Sequence, residues 1–366
     1  MPQGVYMRPI TSLVAAGAAL ALAGASCATD ASKGARMADS TAARINSAEE
    51  HYTFALADGV TRTKVRFRNH FGIELAGDLY SPKDTADGAA PAIAVCGPFG
   101  AVKEQSSGLY ANQMAARGFI ALAFDPSFTG ESGGEPRYMN SPDINTEDFM
   151  AAVDYLSTRS GIDAEKIGII GICGWGGMAL NAAAADPRIK AAVASTMYDM
   201  SRVSAKGYFD EANNADARNA MRKAVAEQRT ADAKSGAYAL AGGVIDPLPD
   251  DAPSFVKDYH AYYKTQRGYH EHSLNSNGGW AVQAGTSLAN TRLLAYADEI
   301  RGAVMVLHGE KAHSRYMGED AFRLLTGSNK ELVIVPGATH TDLYDGGDNN
   351  YIPFDRLADF FRSNLR

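Results

Sequence analysis

The segment Lys166–Gly177, with the sequence KIGIIGICGWGG, surrounds Cys173 with residues that suit a nucleophile. An apolar run leads into Cys173 and small residues follow it, which is the layout of a nucleophile elbow with cysteine in the place of serine. The start of the following helix would help to stabilise a thiolate. Trp175 departs from the G-x-S-x-G motif, because it stands at the second glycine. The segment predicts Cys173 as a nucleophile in acyl chemistry.

Six short apolar runs predict the strands that position this turn. Runs buried on both faces are typical of parallel strands, and helical patterns separate them, so the alternation predicts a doubly wound α/β fold with right-handed crossovers. An antiparallel pair, residues 63–67 and 73–80, precedes them. The six runs are residues 92–95, 119–124, 167–172, 191–195, 303–307 and 332–335.

Residues 196–302 interrupt this alternation, because they contain helical stretches but no clear buried strand. The interval is too long for a loop in a compact domain, so we predict a mainly helical cap at residues 200–290. Pockets are lined largely by aromatic and apolar side chains. We therefore expect the pocket walls to include Tyr262, Tyr263, Tyr269 and Trp280 of the cap, together with Trp175.

The N-terminal residues predict an export signal rather than part of the fold. Arg8 is followed by an apolar run over residues 13–25, which is too short to cross a membrane but suits a secretory signal. We predict a signal peptide over residues 1–27, a flexible leader over 28–50 and the folded domain over 51–366. Residues 24–27 also resemble a lipoprotein cleavage box, so we expect a periplasmic protein that is either released or anchored through a lipid on Cys27.

The composition excludes several classes of function. The chain of 366 residues has 42 acidic and 35 basic residues, a net charge of −7 and no basic cluster, which argues against nucleic acid as a partner. Its three cysteines cannot form a disulfide framework or a four-ligand zinc site. His260, His270 and His272 lack the supporting ligands of a metal motif, so we predict no metal and no cofactor. The oligomeric state stays open.

Six motifs follow one another between Thr61 and Arg366. They are GPFGAVKEQ at Gly97–Gln105, FDPSFTGESGGEPR at Phe124–Arg137, GICGWGG at Gly171–Gly177, YYKTQRG at Tyr262–Gly268, HGEKAHSRY at His308–Tyr316 and PGATHTDLYD at Pro336–Asp345. In their order and spacing the chain resembles the α/β-hydrolase superfamily, closest to its dienelactone-hydrolase-like branch, which includes the fungal polyketide transferases. The resemblance implies an α/β-hydrolase fold, with a mostly parallel central sheet flanked by helices, but it does not identify a substrate.

The resemblance also implies a base and an acid for the nucleophile. The catalytic histidine of the superfamily follows the last strand of the sheet, and His340 stands there. The usual position of the acid is occupied by Ala312. Glu310, on the same loop, is our first choice to orient His340, and Asp199, which follows an earlier strand, is the alternative.

Two backbone amides are expected to form an oxyanion hole. One belongs to Gly174, directly after the nucleophile, and the other is expected from Phe99 in the loop after residues 92–95. Gly97, Pro98 and Gly100 suit a loop whose backbone must approach a substrate carbonyl closely.

These residues predict an exported hydrolase that cleaves ester, lactone or thioester bonds of a small-molecule acyl substrate. Cys173 would attack the carbonyl, His340 would transfer the proton, and the acyl-enzyme would then be hydrolysed. Two alternatives stay open, an acyltransferase in which the cap excludes water and a catalytically silent ligand-binding protein of the cell envelope. Ala312 and Trp175, which depart from the family pattern, favour the silent protein.

Overall fold

A central β-sheet organises residues 50–84 and 89–366, the part of the chain that the computed structural model describes. The predicted signal peptide and residues 28–49 of the predicted leader lie outside the described residues. The strands are β1 (Val60–Arg68), β2 (Glu74–Pro82), β3 (Ala90–Cys96), β4 (Ile120–Phe124), β5 (Ile162–Ile172), β6 (Ile189–Ser195), β7 (Ala303–Gly309) and β8 (Lys330–Val335).

The sheet has the order β1-β2-β4-β3-β5-β6-β7-β8. β2 pairs antiparallel with both β1 and β4, and all pairs from β4 to β8 are parallel. The central strands are buried on both faces because successive side chains are apolar or small, as in the run Ile167–Ile172 of β5. β1, whose residues are largely exposed, lies at the edge of the sheet. The predicted α/β-hydrolase fold is therefore confirmed.

Helices flank the sheet as separate packed groups. α2 packs against α3, and α1 packs against α11. Within the described residues, no helix combines the length and the apolar character needed to cross a membrane. The helices are α1 (Ser106–Ala115), α2 (Pro142–Ser157), α3 (Gly174–Ala185), α4 (Met200–Lys206), α5 (Ala215–Ser235), α6 (Ser254–Tyr263), α7 (Leu274–Asn277), α8 (Gly285–Ala289), α9 (Arg315–Leu324), α10 (Asp342–Asp345) and α11 (Phe354–Asn364).

The segment between β6 and β7 carries α4 to α8 and adds no strand to the sheet. Apart from α5, its helices are short, and irregular stretches join them, as the Gly- and Asn-rich composition indicates. We refer to residues 200–290 as the cap. Several of its side chains lie beside the carboxyl end of β5, where the sheet meets α3.

Candidate active site

Cys173 lies at the sharp turn between β5 and α3. Its backbone has φ 58° and ψ −126°, a conformation that residues with side chains rarely adopt. The turn requires glycine on both sides, because a Cβ at residue 171 would lie 2.1 Å from the Trp175 carbonyl oxygen and one at residue 174 would lie 2.8 Å from Phe99 Cβ. The small residues of the motif therefore permit a turn that presents the thiol at the carboxyl edge of the sheet, with Cys173 7% exposed.

Trp175, which replaces the second glycine of the motif, is accommodated by Gly97. The indole is buried and meets Phe149 edge to face, with the ring centroids 5.8 Å apart. A Cβ at residue 97 would lie 2.9 Å from Trp175 Cβ, so the glycine supplies the space that the tryptophan needs. Trp175 packs behind the turn and does not border the cavity next to Cys173. The structure thus corrects the prediction that it lines the pocket.

Polar groups near the Cys173 sulfur affect the pKa of its thiol. The amides of Phe99 and Gly174 and the hydroxyls of Tyr344 and Tyr259 act to lower that pKa. Burial is the larger effect and raises that pKa above its ordinary value. The resting group is therefore a neutral thiol at pH 7. The oxyanion hole expected from the amides of Phe99 and Gly174 stays a prediction.

His340 lies on the loop between β8 and α10, and both of its ring nitrogens have partners. Nδ1 lies 2.7 Å from Ser314 Oγ and 3.0 Å from Thr196 Oγ1. The Thr196 hydroxyl donates its single proton to the His340 carbonyl oxygen at 3.3 Å, so toward the imidazole its oxygen can only accept a hydrogen bond. The ring proton is therefore assigned to Nδ1. Nε2 is left unprotonated, as a general base requires.

Hydroxyl groups, rather than a carboxylate, hold the His340 ring. Glu310 is exposed, and its Oε2 accepts a hydrogen bond from the Gly337 amide at 2.8 Å. Asp199 caps α4, where its Oδ1 accepts from the Arg202 amide at 2.9 Å. Neither carboxylate is a hydrogen-bond partner of the imidazole within residues 50–84 and 89–366. The structure therefore corrects the prediction that Glu310, or else Asp199, contacts the ring directly.

The hydroxyl partners of His340 differ in charge from the carboxylate that was predicted to contact its ring. Ala312 leaves the usual acid position without an oxygen, and Ser314, two residues later, supplies a neutral one. Burial lowers the pKa of His340 well below its ordinary value, and the neighbouring His313 and His308 lower it further. A hydroxyl pair can fix the tautomer, but it cannot stabilise an imidazolium by charge. The resting site is therefore a thiol beside a neutral imidazole.

Tyr344 lies between the thiol and the imidazole. Its hydroxyl is 3.0 Å from His340 Nε2, and the tyrosine borders the same cavity as Cys173, where its hydroxyl acts to lower the pKa of the thiol. The tyrosine comes four residues after the histidine, a spacing that brings two side chains to one face of a helical turn. Tyr344 was not among the site residues predicted from the sequence, although its spacing from His340 could have indicated it.

A small cavity lies beside the Cys173 thiol. Its volume of about 30 Å³ gives room for on the order of two water molecules. The sheet domain and the cap both contribute to its walls. The apolar walls come from Phe99, Met200, Val203 and Val244, whereas the polar groups come from Tyr198, Tyr259, Tyr263, Asn275 and Tyr344.

Of the four cap residues predicted to line the pocket, Tyr263 alone borders this cavity. Trp280 lies behind Phe99, and the two rings stack with their centroids 4.3 Å apart. Tyr262 is buried on a neighbouring face of α6, since consecutive residues of a helix point in different directions. Tyr269 is exposed. The predictions for Trp280, Tyr262 and Tyr269 are therefore corrected.

One histidine cluster in the described residues has ligand atoms close enough for a metal ion. His51, His270 and Glu271 bring these atoms within 4.8 Å of one another. Both ring nitrogens of His270 are already used, because Nε2 donates to the His51 carbonyl oxygen at 3.0 Å and Nδ1 accepts from the His272 amide at 3.1 Å. Hydrogen bonds thus account for this cluster and leave His270 no free nitrogen for a metal.

The sequence matches a known family over most of its length. The profile of the X-Pro dipeptidyl-peptidase (S15) family matches residues 72–342. An uncharacterized protein of Pseudomonas aeruginosa is 49% identical over 96% of this chain and 94% of its own length. A thiohydrolase of Aspergillus aculeatus is 35% identical over 36% of this chain and 40% of its own length.

The fold is shared with a solved α/β hydrolase from Penicillium, GrgF. The two structures align with a TM-score of 0.68 at 21% identity, over 83% of this chain and 99% of that one. Identity at this level shows the fold alone. The predicted resemblance to the α/β-hydrolase superfamily is confirmed. The chain belongs to the X-Pro dipeptidyl-peptidase (S15) family and has the α/β-hydrolase fold.

Proposed function

We propose that the protein is a cysteine-dependent hydrolase of ester, thioester or lactone bonds, with Cys173 as the nucleophile and His340 as the base. The observation that supports it best is the strained turn at Cys173, which borders a cavity together with Tyr344, the hydrogen-bond partner of His340 Nε2. Strained backbone is costly, and it clusters at functional sites where the surrounding structure maintains it. A protein that only binds a ligand would not need a strained turn that presents a thiol to a cavity.

The first step forms a bond between the Cys173 sulfur and the substrate carbonyl carbon. The thiol proton passes to the Tyr344 oxygen as the phenol proton passes to His340 Nε2, so that Tyr344 is neutral before and after the step. The carbonyl oxygen takes the negative charge and accepts hydrogen bonds from the amides of Phe99 and Gly174. This relay is consistent with a raised thiol pKa and a lowered imidazole pKa, since the resting state needs no ion pair.

The second step breaks the bond to the leaving group. The leaving oxygen or sulfur takes the proton from His340 Nε2, and an acyl thioester on Cys173 remains. Water then attacks the thioester carbonyl while its proton moves to His340. Release of the carboxylic acid returns a proton to the Cys173 sulfur and restores the thiol.

Acyl transfer to an alcohol or amine is a second candidate, and the size of the cavity favours it. A cavity of about 30 Å³ holds few water molecules once an acyl group is bound. An acceptor that enters with its own apolar group would then compete well with water. The ratio of ester to acid formed in the presence of a short alcohol separates the two reactions, because transfer makes ester the main product.

Peptide cleavage, which the name of the matching family describes, finds less support in the cavity. A dipeptidyl-peptidase must hold the ammonium group at the N-terminus of its substrate, and a buried ammonium needs a carboxylate partner. The ten residues that border the cavity include tyrosines, an asparagine and apolar side chains, but no carboxylate. We therefore expect ester and thioester substrates rather than peptides.

Hydrolysis assays on a p-nitrophenyl ester, a thioester and a lactone test the proposal. We expect wild-type protein to hydrolyse at least one of them, and Cys173→Ala to lose about a thousandfold or more in kcat. Cys96→Ala is the matched control, because Cys96 is the other free, buried cysteine of the described residues. The proposal fails if Cys173→Ala keeps more than about a tenth of the wild-type rate.

We further propose that the protein works outside the cytoplasm, on the basis of the predicted signal at residues 1–27. Cell fractionation with globomycin, which blocks processing of lipoprotein signals, separates the two exported forms. Accumulation of the precursor indicates a lipid anchor on Cys27, whereas unaffected processing indicates a released form. Recovery of full-length protein in the cytoplasm alone would contradict export.

A further inference from the structure

Asn275 carries a buried oxygen that has no hydrogen-bond partner at the wall of the cavity. The residue is 2% exposed and borders the cavity that Cys173 lines. Its Nδ2 donates to the Phe99 carbonyl oxygen at 2.9 Å, and because a carbonyl can only accept, this bond fixes which end of the amide is the oxygen. Among the described residues, Asn275 Oδ1 finds no donor.

The Tyr263 hydroxyl is a second polar group without a partner at the same wall. It faces the Asn275 amide and the Tyr344 hydroxyl, but within the described part of the chain it makes no hydrogen bond of ordinary geometry. Tyr263 is itself 1% exposed. Buried polar groups are paired in the large majority of cases, and those that are not call for an explanation such as a ligand or water.

We propose that Asn275 and Tyr263 form a subsite for a hydroxyl group on the acyl chain of the substrate. A hydroxyl suits both residues with one oxygen atom, since it can donate to Asn275 Oδ1 and accept from the Tyr263 O–H. An amide N–H would satisfy Asn275 only. The inference rests on the proposed function, because it places the subsite within the cavity where the acyl group attached to Cys173 would lie.

The remaining walls explain why this subsite would select among acyl groups. An unsubstituted acyl chain could pack against the apolar side chains of Met200, Val203 and Val244. Such a chain would leave Asn275 Oδ1 and the Tyr263 hydroxyl without hydrogen-bond partners once water is displaced. A site built to hydrogen-bond a hydroxyl rejects the analogue that lacks it, because its polar groups then lose water without replacement. We expect a preference of about tenfold or more for the hydroxylated acyl group.

A series of short p-nitrophenyl esters measures this preference. The series contains butyryl, its 2-, 3- and 4-hydroxy derivatives and the matching methoxy derivatives, which can accept but not donate. We expect one hydroxy ester to exceed both butyryl and its methoxy partner in kcat/KM by about tenfold. Equal values across the series would overturn the subsite and leave the hydrolase proposal standing.

Variants assign the preference to the two residues. Tyr263→Phe and Asn275→Leu should each reduce the hydroxy-to-butyryl ratio toward one, whatever they do to the overall rate. Tyr262→Phe is the matched control, because it removes the hydroxyl of the adjacent tyrosine, which does not border the cavity. A ratio that stays at the wild-type value in both Tyr263→Phe and Asn275→Leu would overturn the proposal.

A binding measurement keeps the test independent of turnover. Cys173→Ala should bind the hydroxybutyramide of the preferred series about tenfold more tightly than butyramide in calorimetry, and Asn275→Leu in the same background should abolish the difference. If no ester reacts and this difference is present, the hydrolase proposal fails while the subsite stands. If the amides bind equally, the subsite is wrong.

Discussion

The Tyr344 hydroxyl lies 3.0 Å from His340 Nε2 and occupies the nitrogen that a direct nucleophile–base contact would use. Tyr344 also borders the cavity next to the Cys173 thiol, so in the proposed mechanism the phenol connects His340 to Cys173. Burial holds the pKa of Tyr344 well above its ordinary value. In this mechanism the phenol therefore relays a proton and does not persist as a phenolate.

Tyr344→Phe tests this relay. Without the hydroxyl the thiol proton has no path to Nε2, and we expect kcat/KM to fall by about 10²-fold, the usual contribution of one proton-transfer group. The solvent deuterium isotope effect on acylation should also change, which a merely structural role would not produce. Tyr262→Phe serves as the control. A Tyr344→Phe variant with the wild-type rate and isotope effect would contradict the relay.

Ser314→Ala and Thr196→Val test the hydroxyl pair that orients His340. Each hydroxyl alone can hold the Nδ1 proton, so we expect a loss of about tenfold or less from each single change and a larger than additive loss from both together. Glu310→Gln is the matched control, because its side chain is bonded to the Gly337 amide and not to the imidazole. A loss from Glu310→Gln that exceeds that of the double variant would return the acid role to Glu310.

The pH dependence of kcat/KM should report a neutral base. Because the pKa of His340 is lowered well below its ordinary value of about 6.5, we expect kcat/KM to stay level from pH 8 down to pH 6.5 and to fall only at lower pH. The pKa of the Cys173 thiol is raised, so its alkylation by iodoacetamide should still be increasing above pH 9. A fall in kcat/KM on the acid side that is centred near pH 7 would contradict a resting state with a neutral Cys173 thiol and a neutral His340 imidazole.

The buried histidines also predict how stability changes with pH. Burial lowers the pKa values of His308 and His313 to about 3, so below about pH 6.5 the unfolded chain takes up protons that the folded chain does not. The free energy of unfolding should therefore decrease as the pH falls from 6.5 toward 4, by about 1.4 kcal/mol per pH unit for each such histidine. Urea titrations of the wild type and of His313→Gln measure this, and the variant should have the shallower dependence. A free energy of unfolding that is independent of pH in this range would refute it.

The sheet could be predicted from the sequence because its strands are continuous apolar runs. Residues 167–172 and 191–195, for example, lie within β5 and β6. The turn at Cys173 could also be predicted, since the glycines on either side of it, Gly171 and Gly174, leave no room for a Cβ. These features depend on local sequence alone.

The rest of the site depends on distances between segments far apart in the chain. Thr196, Ser314 and His340 come from three loops, and a serine or threonine hydroxyl carries no distinctive sequence signal for such a role. Trp280 was expected in the pocket because it is aromatic, but its stacking on Phe99 follows from how the cap packs against the loop after β3. Residue type therefore predicted that aromatic and apolar side chains line the cavity, but not which of these side chains do so.

The central claim, covalent catalysis by Cys173, is tested most directly by mass spectrometry of the intact protein during turnover. Wild-type protein is mixed with an activated ester, quenched in acid within the first turnovers and digested to locate the acyl group. We expect an adduct of one acyl group on the peptide that contains Cys173, present in Cys96→Ala and absent from Cys173→Ala. Turnover without any adduct, or an equal adduct in Cys173→Ala, would contradict the account.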